Sequence, residues 1–186
     1  MDNKYYVGYA SIHKLVRSLA DRLMASGYDP DVIVAIGSGG FIPARIMKTY
    51  INRPILTVGI SYYGLDQKHS THPQKIQWID EAQQQLRGKK VLLIDEVDDT
   101  RVTLRYCIGE LLKNDPKEIA VLVLHNKKKT KEAEFQPEIT RYFSGKEIED
   151  IWIKYPWDAI DIDEHTQNEL LMLNEYHRQG KKEMDV

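Results

Sequence analysis

The sequence predicts an α/β protein in which a central, mostly parallel sheet is flanked by helices. Short apolar runs at residues 31–36, 55–60, 91–94 and 119–124 have few polar positions, which is typical of strands buried on both faces. Segments with helical spacing of apolar residues separate most of these runs. Because strands and helices alternate, we expect parallel strand order with right-handed crossovers. The 186 residues suit one domain spanning 1–186.

Composition excludes several classes of function. The formal net charge of −2 disfavours a nucleic-acid-binding surface. The single cysteine, Cys107, excludes an intramolecular disulfide and a cysteine-based metal cluster. No apolar run approaches the roughly twenty residues of a membrane span, and the N-terminus lacks an apolar signal segment. We therefore expect a cytoplasmic protein with neither nucleic acid nor membrane as a partner.

The N-terminal part contains a glycine-rich turn between a strand and a helix. Ser11 is predicted to cap a first helix that ends near Gly27. The strand at 31–36 then runs into Gly37-Ser38-Gly39-Gly40, and Pro43 fits the first turn of the next helix. Such a turn lets the backbone donate N–H groups to an anion. A tight turn that needs glycine for positive φ explains the same residues equally well.

A polar segment at residues 61–75 follows the strand at 55–60. A loop of this length within one domain is usually functional or disordered. Residues 76–79 then return to the alternating pattern of a strand.

The most informative stretch is residues 91–104. Four carboxylates follow the apolar run within five residues, at positions 95, 96, 98 and 99, so we expect the strand to end at Ile94 with the acids at its carboxyl edge. Asp99 or Thr100 can cap the next helix, whose free N–H groups attract phosphate beside the acids. An acidic surface turn is the alternative interpretation.

This stretch resembles the phosphoribosyl-pyrophosphate (PRPP) binding motif of type I phosphoribosyltransferases. The resemblance implies that Asp95 and Glu96 hold the ribose hydroxyls. It also implies a loop around the 5′-phosphate, formed by Asp99, Thr100, Arg101, Val102 and Thr103. Family members commonly have a small residue where Arg101 stands. Either the loop backbone differs here, or the guanidinium adds a charge contact to the phosphate.

The resemblance extends to three further features of the family fold. The glycine-rich turn corresponds to the pyrophosphate loop, formed by Ser38, Gly39 and Gly40, with Ser38–Gly39 as the candidate cis peptide. Residues 61–75 correspond to a flexible lid that opens with the pair Ser61 and Tyr62. A small hood is expected from the N-terminal segment and residues of about 140–160.

A purine site is implied by two later segments. Lys127, just past the strand at 119–124, matches a lysine that donates to the oxygen of a 6-oxopurine. In the segment 150–158, Trp152 would stack on the purine, while the backbone of Ile153 and the carboxylate of Asp158 would meet the base edge. Without the family, these aromatic residues are as readily core. A charged amphipathic helix is predicted at 161–177.

The implied reaction transfers the phosphoribosyl group from PRPP to a 6-oxopurine and releases pyrophosphate. Hypoxanthine and guanine are the expected bases and xanthine a third candidate, giving IMP, GMP or XMP. Mg²⁺ is the implied cofactor, with Asp95, Glu96 and Asp158 as ligands directly or through water. Asp99 is the candidate general base, with Asp98 as its rival. A homodimer or homotetramer is expected.

Three alternatives stay open. A xanthine-preferring enzyme would use the same residues with altered contacts at the base. A PRPP-sensing regulator would keep the fold without catalysis and could dispense with Asp99 and Lys127. A generic sugar-phosphate module would not need the segment around Trp152.

Overall fold

A computed structural model describes residues 4–63 and 69–178, with the backbone alone for residues 62, 63 and 69–72. The main sheet consists of β2 (Val32–Gly37), β3 (Ile55–Tyr63), β4 (His69–Gln77), β5 (Lys90–Asp98), β6 (Glu118–Lys127) and β7 (Arg141–Ile148). A small second sheet consists of β1 (Lys4–Tyr6) and β8 (Trp152–Lys154), followed by a 3-10 turn at Pro156–Asp158. The helices are α1 (Tyr9–Ala25), α2 (Phe41–Ile51), α3 (Ala82–Leu86), α4 (Val102–Leu112) and α5 (Ile162–Arg178).

The strand order of the main sheet is β4-β3-β2-β5-β6-β7. Every neighbouring pair is parallel except β3 and β4. Alternate residues of β5 enter two separate cores, because side chains along a strand point to opposite faces. Leu92 and Ile94 join α1 and α2 on one face, while Val91 and Leu93 join α4 on the other. The predicted α/β class is confirmed.

The polar segment at 61–75 is largely strand, so the prediction of an irregular loop is wrong for its described part. β3 continues through Ser61, which pairs with Gln74 of β4 in antiparallel register. Antiparallel strands at a sheet edge can keep one face in water, so polar residues are tolerated there. Residues 64–68 of the predicted lid lie outside the described residues.

One part of the predicted hood, β7, lies elsewhere in the structure. β7 lies in the main sheet beside β6, whereas the hood was expected from about residue 140 onward. The second sheet joins the N-terminal segment to β8 through parallel pairing of Tyr5 with Ile153. As an edge strand, β7 carries the polar residues that a central strand would not, which explains why its sequence lacks a clear strand pattern.

The last helix packs through polar residues. Glu169 accepts hydrogen bonds from the Gly8 N–H and the Ser11 hydroxyl, both at 2.7 Å. Helix α1 begins at Tyr9 with Gly8 at the N-cap position, so the prediction of Ser11 as the cap is wrong. Leu170 and Leu171 of α5 are 55% and 61% exposed.

Among the helices of residues 4–63 and 69–178, none is long and apolar enough to cross a membrane.

Candidate active site

The acidic stretch belongs to β5 itself, so the prediction that the strand ends at Ile94 is wrong. β6 continues alongside it, with Asp95 paired to Val123 and Asp98 to Asn126. The ladder can continue because the buried carboxylate of Asp98 has charged and polar partners, which offsets its desolvation. Asp95, Glu96 and Asp98 are thereby fixed on a strand rather than on a loop, and Asp99 follows directly after it.

A cavity of about 230 Å³ lies where the parallel strands end. Its walls are the ends of β2, β3 and β5 and the start of α4. The predicted ribose acids and phosphate loop meet here: the lining includes Asp95, Glu96, Asp99, Thr100, Arg101 and Thr103. The carboxyl edge of an open α/β sheet is the usual ligand site of such folds.

The glycine-rich turn forms close contact with β5. A Cβ atom at Gly39 would overlap the Glu96 carboxylate, and one at Gly40 would lie 2.6 Å from the carbonyl oxygens of Ile36 and Ile94. Glycine is therefore required for the turn to pack against β5. The cis peptide is Gly37–Ser38, so the prediction of Ser38–Gly39 is wrong by one bond. Gly37 is the last residue of β2, so the turn starts at Ser38, one residue later than expected.

Asp99 lies among lysine side chains. Its carboxylate oxygens lie 3.3 Å from Lys127 Nζ and 2.9 Å from Lys129 Nζ. Although partial burial opposes its charge, hydrogen bonds and charge from these lysines lower the pKa of Asp99. Asp150 completes the group, 3.5 Å from Lys127 Nζ and 3.2 Å from Lys129 Nζ. Asp99 and Lys127 were predicted at the same edge of the sheet, whereas the contacts of Lys129 and Asp150 with them were not predicted.

Asp98, the rival base, is inaccessible. Its side chain is fully buried, and its Oδ2 atom accepts hydrogen bonds from Arg101 at 2.8 and 3.0 Å and from the Tyr142 hydroxyl at 3.0 Å. A carboxylate held in this way cannot reach a ligand in the cavity. Of these two carboxylates, only Asp99 lines the cavity.

Arg101 occupies the N-cap position of α4, so the prediction of Asp99 or Thr100 as the cap is wrong. Its φ of +71° is the left-handed conformation that glycine adopts readily. The guanidinium turns back onto Asp98, and its central carbon lies 4.2 Å from the Phe135 ring centroid. The backbone at position 101 thus has a conformation that suits glycine, while the arginine side chain contacts Asp98 and Phe135.

The predicted purine segment lies in the hood. Trp152 is 65% exposed, Ile153 is buried, and the Asp158 N–H donates to the Tyr155 carbonyl at 3.2 Å. Tyr155 connects this segment to β5, because its hydroxyl donates to the Glu96 carbonyl at 3.0 Å.

His125 lies behind Tyr155 in the core. Its Nδ1 atom lies 2.8 Å from the Tyr155 hydroxyl oxygen. Since that hydroxyl already donates to the Glu96 carbonyl, Nδ1 must carry the proton and donate. Burial, with a smaller effect of the Lys146 charge, lowers the pKa of His125 to about 3. Neither His125 nor Tyr155 was predicted, because a buried histidine in a strand has no distinguishing sequence pattern.

The comparisons with known proteins decide the family. The family described as "Phosphoribosyl transferase domain" matches residues 8–159. The chain belongs to the phosphoribosyltransferase family. Its similarity to named members runs over nearly its whole length. It is 38% identical to Xanthine phosphoribosyltransferase 1 of Saccharomyces cerevisiae, over 89% of this chain and 94% of that protein.

Other relatives agree on this phosphoribosyltransferase fold. The chain is 37% identical to the hypoxanthine-guanine phosphoribosyltransferase of Schizosaccharomyces pombe, over 87% of this chain and 92% of that protein. A hypothetical protein from Neisseria gonorrhoeae, crystallised with bound ppGpp, has a TM-score of 0.85 and 43% identity, covering 92% of this chain and 98% of that one.

For a phosphoribosyltransferase that uses Mg²⁺, the adjacent acids of β5 are suitable ligands. Burial and the neighbouring Glu96 charge raise the pKa of Asp95 well above its usual value. A divalent cation would offset this repulsion. No group of three or more histidine, cysteine or carboxylate side chains within the described residues is arranged to hold a metal. Two carboxylates fit the way Mg²⁺ is bound when substrate phosphates supply its other ligands.

The predicted lid begins directly after the part of β3 that borders the cavity. Ser61 and Tyr62 belong to β3, directly after Ile60, which lines the cavity wall. The hairpin of β3 and β4 therefore rises from the rim of the site.

Proposed function

We propose that this phosphoribosyltransferase transfers the 5-phosphoribosyl group of PRPP to a ring nitrogen of a 6-oxopurine and releases pyrophosphate. The observation that carries the proposal is the cavity at the carboxyl edge of the sheet, where Asp95, Glu96 and the phosphate loop meet and Asp99 lies next to Lys127. The names of the yeast relatives, which are xanthine and hypoxanthine-guanine phosphoribosyltransferases, support a 6-oxopurine as the acceptor.

Each part of PRPP has a matching group in the site. The ribose hydroxyls are assigned to Asp95 and Glu96, which accept hydrogen bonds when ionised. The 5′-phosphate is assigned to the N–H groups of residues 99–103, at the start of α4. The pyrophosphate is assigned to Ser38, Gly39 and Gly40, whose backbone can approach closely because two of them lack side chains. Mg²⁺, when bound, neutralises negative charge on the pyrophosphate.

The purine is assigned to the opposite side of the cavity. As the bond from C1′ to the purine nitrogen forms, the bond from C1′ to the pyrophosphate oxygen breaks, and the purine nitrogen loses its proton to Asp99. Asp99 is suited to accept it because its carboxylate is ionised and partly exposed. Lys127 is 3.3 Å from Asp99, within reach of the 6-oxygen of a purine held by that base. Trp152, Ile153 and Asp158 are assigned to the ring face and edge.

Base preference is the direct test. A lysine ammonium has three donors and no acceptor, so it binds the oxygen of a 6-oxopurine and meets another donor in adenine. A site of this kind can reject the analogue by about 10⁴–10⁵. We expect product with hypoxanthine, guanine or xanthine, each supplied with Mg·PRPP, and almost none with adenine. Lys127→Ala should lower kcat/KM for every 6-oxopurine and narrow the gap to adenine. Preference for adenine, or an unchanged ratio in Lys127→Ala, would contradict the assignment.

A second proposal follows from the Neisseria gonorrhoeae protein, whose crystal structure contains ppGpp. We infer that this chain binds the same nucleotide in the cavity, since guanine carries a 6-oxygen for Lys127 and the phosphate groups suit the loop at the start of α4. Bound there, ppGpp would compete with PRPP. Initial rates at varied PRPP concentration should show competitive inhibition by ppGpp, and noncompetitive inhibition would place the nucleotide elsewhere.

Three further predictions from the sequence stay predictions. A homodimer or homotetramer can be checked by sedimentation analysis. A cytoplasmic location can be checked by fractionation of cells. Protection of residues 61–75 when both substrates are bound can be checked by hydrogen exchange, and complete protection without substrates would rule out a lid.

A further inference from the structure

Arg101 has a backbone conformation that its residue type disfavours. Its φ of +71° places it in the left-handed region, where a Cβ atom crowds the backbone. The position matters because the Arg101 carbonyl accepts the N–H of Arg105 at 2.9 Å, in the first turn of α4. Interactions with other residues must stabilise this conformation of Arg101, which lies beside the proposed phosphate site.

The buried carboxylate of Asp98 supplies that restraint. Arg101 donates to the same Asp98 oxygen through Nε at 3.0 Å and Nη2 at 2.8 Å. The Tyr142 hydroxyl donates to this oxygen too, at 3.0 Å. The Asp98 side chain is 0% exposed and the Arg101 side chain 15%. A carboxylate and a guanidinium so buried depend on each other, because either alone would be a charge removed from water.

The connection between β6 and β7 covers the pair from outside. The Arg101 guanidinium carbon lies 4.2 Å from the centroid of the Phe135 ring, a cation–π contact. Lys131 Nζ donates to the carbonyl oxygens of Asp98 and Asp99 at 2.6 and 2.9 Å, and the Glu132 N–H donates to the Thr100 carbonyl at 3.1 Å. Three consecutive residues of the loop are thus held through their backbone or side chains.

We propose that Asp98 and Arg101 are a positioning pair that fixes the phosphate loop in its binding conformation, and that Arg101 itself does not bind the phosphate. The inference deepens the proposed function and rests on it. Two guanidinium nitrogens are already committed to Asp98, and the third faces Glu134 at 3.8 Å. The positive charge of Arg101 is therefore neutralised within the protein.

Substitutions can distinguish a positioning role of Arg101 from a phosphate-binding role. Glycine accepts positive φ without crowding, and valine suits a buried strand position, so the double variant Asp98→Val with Arg101→Gly removes both charges and the backbone conflict. Asp98→Val alone leaves the Arg101 guanidinium without its buried carboxylate, and Arg101→Gly alone leaves Asp98 with Lys131 Nζ, 3.5 Å from its Oδ1 atom, as the remaining cation. We expect each single variant to raise KM for PRPP by about tenfold or more and the double variant to recover most of that loss, which is the non-additivity of coupled residues.

The variant Arg101→Lys separates the positioning role from the phosphate-binding role. Lysine binds phosphate as a point charge but lacks the planar fork that pairs with Asp98. If the pair positions the loop, Arg101→Lys should lose affinity for PRPP while the double variant keeps it. If Arg101 binds the phosphate, Arg101→Lys should keep affinity while Arg101→Gly and the double variant lose it equally, and the proposal is overturned. Arg105→Ala, which removes an exposed guanidinium in the same helix, is the control and should change KM little.

The test separates this inference from the proposed function. Calorimetric titration of the wild type with Mg·PRPP comes first, and absence of binding there refutes the function. The unfolding temperatures of the wild type, two single variants and double variant measure the coupling without any substrate. Additive shifts would overturn the pair even in an active enzyme. Should a single variant fail to fold, Tyr142→Phe removes one donor to Asp98 and should raise KM for PRPP with little change in kcat; an unchanged KM there would also count against the proposal.

Discussion

Replacing Asp99 with asparagine should separate proton transfer from electrostatics. The amide keeps the shape and hydrogen-bonding capacity of the carboxylate but cannot take a proton from the purine. We expect turnover to fall by about 10²–10⁴, the range for losing general acid–base help. That loss corresponds to about 2.7–5.4 kcal/mol of activation free energy, at about 1.36 kcal/mol for each factor of ten.

The stability of the same variant should change little. The Asp99 side chain is 43% exposed, and its partners Lys127 and Lys129 lie at 3.3 and 2.9 Å. Ion pairs with one exposed partner contribute about 0–1 kcal/mol each. A large loss of turnover with a nearly unchanged unfolding temperature is therefore the expected combination.

Asp150→Asn is the matched control. Asp150 is 48% exposed and contacts the same two lysines, at 3.5 and 3.2 Å. Both variants remove one negative charge from these lysines, but Asp99 alone is assigned to the purine proton. Steady-state turnover with saturating PRPP and hypoxanthine should fall at least tenfold further in Asp99→Asn than in Asp150→Asn, since the general base alone is worth about 10²–10⁴. Equal losses would mean that the lysine cluster, and not proton abstraction, carries the effect.

Three other predictions follow from charge and burial. Lys129→Gln removes a cation that lowers the pKa of Asp99, so the acid limb of the pH profile of kcat/KM should move to higher pH, and an unmoved limb would exclude Asp99 as its source. His125 has a pKa of about 3 in the folded protein and about 6.5 in the unfolded chain, so only the unfolded chain binds a proton between these pH values. The free energy of unfolding should therefore fall as the pH drops below about 6.5, by up to about 1.4 kcal/mol per pH unit. Denaturant titrations should show a smaller slope in the variant His125→Gln. Asp95→Asn combined with Glu96→Gln should weaken Mg·PRPP binding far more than purine binding in calorimetric titrations, and equal PRPP affinity would remove these acids from the ribose site.

The proximity of the phosphate loop, the acids and Lys127 could be predicted from sequence. The strand, the acids and the start of α4 are contiguous, so local pattern alone places them side by side. Lys127 is 28 residues from Asp99, yet Asp99 follows β5 and Lys127 is the last residue of the neighbouring parallel strand β6, and such strand ends meet at one sheet edge. The observed separation of 3.3 Å between them follows from that topology.

The burial of the acids could not be predicted, because it depends on partners that are distant in sequence. Asp98 is held by Tyr142, 44 residues away, and its carbonyl by Lys131, 33 residues away. Neither residue has a sequence pattern that links it to the acidic stretch. The local pattern therefore predicted that the acids follow the strand at its carboxyl edge, and it ended β5 at Ile94 rather than at Asp98.

The burial of the aromatic residues in the hood could not be predicted from the sequence either. Trp152 and Trp157 lie in one short segment, and composition gives no means to separate an exposed ring from a packed one. Trp157 stacks on Tyr155 with ring centroids 4.6 Å apart, whereas Trp152 is 65% exposed. An exposed indole at the hood is free to contact a planar ligand, and a ring already stacked on a neighbour is not. The purine contact of Trp152 stays a proposal, and its exposure is a property that the sequence pattern did not contain.

Asp98 and Asp99 show why the identity of the base depends on tertiary contacts. They are adjacent and chemically identical, and either could follow the strand as a base. Asp98 meets Arg101 and Tyr142 in the core, where removal of its charge would leave a guanidinium without a partner. Asp99 meets Lys127 and Lys129 at the surface of the cavity, where they keep it ionised without covering it. The proposed general base must be both ionised and accessible from the cavity, and Asp99 fits this proposed role better than the fully buried Asp98.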